Sequence, residues 1–238
     1  MAPSSPQMLL RGTGDVRCSG GLALITLLLA QLIGAVIAGP EPLPAKATAL
    51  VFAAAMVAAG AVLDRGAPAS GVPALVGALF RSAGLAVGTA LLVVVNAPLH
   101  AGLVDVASPA AAVAVLTLTI AGAARLFGAV VGSVALGTLC TIVGLALTSA
   151  APLWLGPAVA RLGDPRLVVD TVIGVSPVTY LAVMCDYDYL RSDWLYTTSP
   201  VGSVRFDYLA GSTLTGGYLF LAALLFGAHH LLRKMTRG

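Results

Sequence analysis

Long apolar stretches broken by short polar punctuation dominate the chain. The stretches run from Leu22 to Ala38, Ala47 to Leu63, Ser82 to Leu99, Val106 to Ala124, Leu126 to about Ala150, and Leu209 to Ala228. Each falls within the range of roughly 17–25 residues with which a helix crosses a ~30 Å hydrocarbon core. The runs are continuous and rich in Ala, Leu, Val and Gly, so they lack the residue-by-residue alternation of a transmembrane β-barrel. Between Ala150 and Leu209 the pattern changes. Leu167 to Met184 holds a single charge, Asp170, and is interrupted by Ser176-Pro177. That run reads either as a seventh span or as two short helices meeting near Gly174–Pro177. The second is preferred, because proline restricts the residue before it and ends a helix there.

These elements predict an all-α integral membrane protein, a six-helix polytopic bundle with an outer segment of short re-entrant or interfacial helices between spans five and six. The expected divisions are a tail over 1–21, five transmembrane helices over 22–150, the outer segment over 151–208, and the sixth helix with a basic tail over 209–238. The first run follows Arg11 and Arg17 and has the shape of a secretory signal, but the spans behind it favour a retained helix.

Composition excludes a water-soluble globule: 58% of the 238 residues are hydrophobic and 10% charged, against roughly 25% charged in soluble domains. Lysine and arginine resist translocation, so their distribution sets orientation. With both termini cytoplasmic, Arg11, Arg17, Arg65, Arg81, Arg125, Arg233, Lys234 and Arg237 fall inside, and Lys46 alone falls in a short outer loop. A seventh span would spoil this asymmetry. Heavy use of Ala, Gly, Val and Arg with two lysines points to a bacterium with a GC-rich genome, and the expected location is its cytoplasmic membrane. The net charge of +3 is dispersed, so nucleic acid is not an expected partner.

Candidate chemistry is sparse. The six runs contain no ionisable residue, which disfavours a proton pathway or an embedded enzyme. Asn96, Thr117, Thr119, Ser133, Thr138, Thr141 and Ser149 are expected to hydrogen-bond between helices. Cys18, Cys140 and Cys185 follow no metal or redox spacing, adjacent His229 and His230 point about 100° apart on a helix, and no Walker A motif occurs. No metal, cofactor or catalytic residue is expected. Gly84-x-x-x-Gly88 and Gly128-x-x-x-Gly132 have the spacing that lets helices approach closely, within the chain or in a homodimer. The outer segment carries six of the ten acidic residues and eight of the fourteen aromatics. Its stretch from Asp186 through Asp188, Arg191 and Trp194 is a candidate docking surface, with tyrosine, tryptophan and arginine as anchors. A calcium site on Asp186 and Asp188 would need more oxygen ligands than that spacing guarantees.

Ser176-Pro177-Val178-Thr179-Tyr180-Leu181 is similar to the turn between the last two spans of ABC-2-type exporter permeases, and residues 126–232 resemble that part of the family. The resemblance implies a subunit that exports a hydrophobic or amphipathic substrate with a separate ATPase. Gly174, Pro177 and Tyr180 would then gate the exit, and Arg65 and Arg81 would meet the ATPase. The chain departs from the family in its short N-terminal tail and in the Gly/Pro/Ala-rich loop Asp64–Arg81, a poor coupling helix. The alternative is a non-catalytic structural or assembly subunit of a larger membrane complex, in contact with the bilayer and neighbouring subunits.

Overall fold

The computed structural model describes residues 45–63, 72–96, 102–151, 166–188 and 208–236, and these contain helices and no strand. In chain order the helices are α1 (Ala45–Leu63), α2 (Val72–Asn96), α3 (Leu103–Val131), α4 (Val134–Ser149), α5 (Arg166–Val175), α6 (Pro177–Met184) and α7 (Gly211–Met235). Three of them, α2 from Pro73, α3 and α7, are long and apolar enough to cross a membrane, and α1 and α4 are shorter apolar helices. The architecture is that of a helical membrane protein. The run Leu22 to Ala38 lies outside the described residues.

Helix α3 is the hub and packs against α1, α2, α4 and α7. Its middle is almost wholly covered: Ala112, Val113 and Leu116 form one core with Ala53, Met56, Val57 and Leu85 of α1 and α2 and Leu214 of α7. The outward faces are apolar as well, with Phe80 76% and Val95 77% exposed on α2. A water-facing surface would not tolerate such rows, whereas lipid tails match them. Asp105 and Arg125 lie twenty residues apart on α3, about 30 Å at 1.5 Å per residue, which equals the thickness of a hydrocarbon core.

Helix boundaries depart from the apolar runs in two places. The fourth run does not end at Arg125: α3 continues to Val131, and the turn falls at Gly132, whose φ of 74° is left-handed. Arginine has good helix propensity and extends its charge along an apolar surface, so it marks a depth, not a helix end. Ser133 then caps α4 by accepting from the Leu136 amide at 3.4 Å. In the same way α2 starts nine residues before Arg81, because Val72-Pro73 offers proline at a first-turn position and the following residues are apolar. The expected loop Asp64–Arg81 is helical from Val72 onward.

Small residues act within the chain. A Cβ on Gly137 of α4 would lie 2.3 Å from the Gly128 nitrogen and 2.8 Å from the Ala124 oxygen, so α3 and α4 touch backbone to backbone. Gly88 faces the Met56 methyl, and Gly132 is the helix stop. The hydroxyls also differ from expectation. Thr117, Thr138 and Thr141 donate to carbonyls four residues back on their own helices, at 2.7, 3.0 and 2.8 Å. Asn96 does likewise to Leu92. Thr119 alone of the expected set is seen to reach another helix among the described residues, its one hydroxyl proton shared between the Val115 oxygen at 2.9 Å and the Tyr218 oxygen at 3.1 Å. The carbonyl four residues back is within reach of any helical threonine, so no second helix is needed.

Candidate functional site

The segment Leu167 to Met184 is two helices broken at one residue. Pro177 disfavours helical geometry at Ser176, which adopts φ −69° and ψ 123°, and Pro177 itself starts α6. The Ser176 hydroxyl accepts from the Thr179 amide, capping α6. The break also strips α5 of partners for its last carbonyls. Tyr218 of α7 answers this, donating its hydroxyl to the Val175 oxygen at 2.7 Å.

Helix α6 lies antiparallel to the first turns of α7. Val175 meets Tyr218, Tyr180 meets Thr215, and Met184 and Val183 meet Gly211. Ser176 therefore sits about 10 Å along α7 from its start. Tyr180 is fully buried, and its ring stacks on Tyr218 with centroids 4.9 Å apart. The Thr215 hydroxyl gives its one proton to the Gly211 oxygen at 2.7 Å, so at 2.8 Å Tyr180 is the donor and Thr215 the acceptor. Helix α6 also touches α1, α3 and α4, which wedges the break into one end of the bundle.

The three expected gate residues separate here. Gly174 lines a lateral apolar groove of about 370 Å³ between α5 and α7, with Asp170, Val175, Leu209, Tyr218 and Leu221. Pro177 and Tyr180 are buried in the core behind it and anchor the break. Asp170 is the one carboxylate among the groove's described lining residues.

The expected docking surface is tied into the chain where it is described. Asp186 ion-pairs with Lys46 at the start of α1, and Asp188 accepts from the Tyr208 hydroxyl at 2.6 Å, just before α7. Asp186 has φ 50°, a left-handed turn that aspartate tolerates better than most residues. Its carboxylate raises the Lys46 pKa, mainly through the hydrogen bond. Cys185 beside it is buried, which pushes its pKa up to about 12. Arg191 and Trp194 lie outside the described residues, as does Arg65. Arg81 is half-buried within α2 and lines a small pocket with Gly60, Ser82, Leu85 and Thr117.

No family model, curated protein or solved structure matches the chain.

A second constellation lies at the far end of the bundle and was not singled out in the sequence. Arg125 donates to the Ala121 oxygen at 3.1 Å and places its guanidinium 5.4 Å from the centre of the Phe226 ring. His229 is 5% exposed, whereas its neighbour His230 is exposed. The signal was present: Arg125 interrupts a run whose helix continues, and His229 with Arg233 repeats at helical spacing near the end of the last span. Among the described residues, no group of three His, Cys, Asp or Glu could hold a metal ion.

Proposed function

We propose that the chain is the membrane permease subunit of an ABC-2-like exporter, spanning the bilayer six times with both termini in the cytoplasm. The observation that carries this reading is the broken helix pair α5–α6, docked inside one end of the bundle with its tip at Ser176. An eight-residue helix is about 12 Å long, too short to cross a ~30 Å core by itself, and α6 runs antiparallel to the start of α7, which supports a pair that enters and returns. Non-helical backbone at membrane depth is tolerated where protein covers it, and Ser176 is 1% exposed. In this reading the groove beside Gly174 receives the apolar part of a hydrophobic or amphipathic substrate, and movement of α5 against α7 opens it. Pro177 and Tyr180 hold the fixed half of the gate.

ATP energy would come from a separate ATPase on the cytoplasmic face, with Arg65 and Arg81 as contacts. Arg81 is half-buried within α2. The alternative, a structural subunit of a membrane complex, is favoured by the apolar rows of α2, where Phe80 and Val95 stand free to seat a neighbour.

Purification from native membranes separates the two. A nucleotide-binding subunit recovered in stoichiometric amount, and weakened by Arg65→Glu, supports the permease. A stable complex without one, unchanged by ATP or a non-hydrolysable analogue, rejects it. A tag inserted between Ser192 and Asp193 should react from outside intact cells; reaction only after permeabilisation would defeat the six-span topology.

A further inference from the structure

We propose that the groove beside Gly174 takes a single-chain cationic amphiphile, with its ammonium head on Asp170 and its alkyl chain laid along α7 over Gly217. This names a substrate class for the groove and rests on the permease reading. Openings of about 370 and 400 Å³ share Asp170, Thr171, Gly174, Leu209 and Leu214, so they form one groove around the last turns of α5. Volumes of this size suit a small ligand.

The walls set the chain. Val175, Leu209 and Leu221 line the groove and are 58%, 49% and 42% exposed, so its apolar surface is open from the side. Gly217 leaves room between them, since a Cβ there would meet nothing within 4 Å. Thr213 and Leu221 are eight residues apart on α7, about 12 Å of wall. An extended chain advances roughly 1.2 Å per bond, as extended backbone does over three bonds per residue, so about ten carbons match that length.

Asp170 sets the head. A carboxylate in a re-entrant element of a membrane bundle is costly, and such residues mark the paths of substrates and ions. Asp105, Asp186 and Asp188 are each engaged within the chain, by the Gly102 amide, Lys46 and the Tyr208 hydroxyl. Asp170 is exposed, lines both openings and makes no such contact among the described residues. An ionised carboxylate accepts and cannot donate, so the matching head is a donor. A cationic N–H gives the charge-assisted bond, which is about twice as strong as a neutral one. An alkylammonium joins that head to a chain that the apolar walls fit.

The test uses the full chain purified in a maltoside detergent and decylamine carrying a photoreactive diazirine on its chain, with adducts mapped by mass spectrometry. Adducts are expected on α7 between Thr213 and Leu221, and plain decylamine should compete at least tenfold better than decanoic acid or decanol. Asp170→Asn should weaken decylamine roughly tenfold, the loss of one charge-assisted bond, and leave decanol unchanged. Gly217→Leu should exclude both, because its side chain fills the path of the alkyl chain. Adducts scattered evenly over the apolar helices, equal competition by decanoic acid or decanol, or decylamine affinity that survives Asp170→Asn would each overturn the proposal. The wild-type comparison of competitors decides even if a variant fails to fold. The permease reading is judged separately by the nucleotide-binding subunit. Recovery of that subunit with no preference for decylamine removes the substrate class alone, whereas a decylamine preference in a complex lacking it removes the permease and leaves a ligand site.

Discussion

Replacing Gly137 by alanine probes the closest helix contact described in the bundle. The added methyl carbon would stand 2.3 Å from the Gly128 nitrogen, 2.4 Å from its Cα and 2.8 Å from the Ala124 oxygen. Carbon contacts are comfortable at roughly 3.5–4.0 Å, so α4 must move off α3 by about 1 Å, and no flexible side chain is there to yield. Overpacking costs about 1–3 kcal/mol, and a backbone obstacle belongs at the upper end. Alanine also gains up to about 1 kcal/mol in helix propensity over glycine, which masks part of the loss. Gly144→Ala on the same helix isolates that gain, since a Cβ there meets nothing within 4 Å. The difference between the two variants should be about 2–3 kcal/mol. At roughly 2–4 °C per kcal/mol for a chain of this size, Gly137→Ala should melt some 5–10 °C below Gly144→Ala in detergent. A Gly137→Ala protein melting at or above Gly144→Ala would refute the backbone seam.

Three further outcomes follow from the same geometry. Tyr218→Phe keeps the ring stack on Tyr180 but removes the donor to the Val175 oxygen, at a cost of about 1 kcal/mol, and should speed hydrogen exchange in α5 while sparing α3. Equal speeding in both helices would count against a local role. Cys185 should react with maleimide far more slowly in the folded protein than after unfolding in strong detergent. Its folded pKa, raised to about 12, is above its ordinary value near 9, so the thiol's stabilising contribution is complete below pH 9 and declines as pH rises toward 12. Lys46→Met should remove a contribution that is present below pH 10.5 and lost as pH rises through the raised Lys46 value. Melting curves of variant and wild type that differ equally at pH 8 and pH 11.5 would contradict the Lys46–Asp186 pair.

The apolar runs made the helices legible, and the break at Ser176 falls within the expected stretch Gly174–Pro177, because proline's restriction on its neighbour is local chemistry. What failed was the use of charge as punctuation. Arg81 and Arg125 both lie inside helices, since an arginine side chain places its charge several ångströms from its own backbone. Asp186 and Asp188 were visible as an acidic outer cluster, but their partners are not local: Lys46 is 140 residues from Asp186. Only the fold brings such pairs together. His229 could be placed near the end of a span by counting, yet its burial depends on which face α7 turns toward α3, and a weakly amphipathic helix does not declare that face.

The same physics accounts for where openings lie at the two ends of the bundle. Lipid tails are as apolar as leucine, so burying apolar surface between spans gains little, and cohesion must come from close van der Waals contact and a few hydrogen bonds. That contact is densest along α3, where Gly128 and Gly137 let two backbones meet and Ala112 and Val113 are fully enclosed. Departures from it occur where a large or polar side chain holds α7 against its neighbours. At one end Tyr218 and Leu209 stand between α7 and α5, leaving the groove beside Gly174. At the other, Arg125 braced on Phe226 leaves the cavity that His229 faces. Both openings share α7 as a wall, and Gly122 fixes its distance from α3 between them, with Leu225 and Phe226 within 3.3 Å of where a Cβ would stand. The two openings are thus opposite ends of one packed seam, and occupancy of the groove bears on the helix that both share.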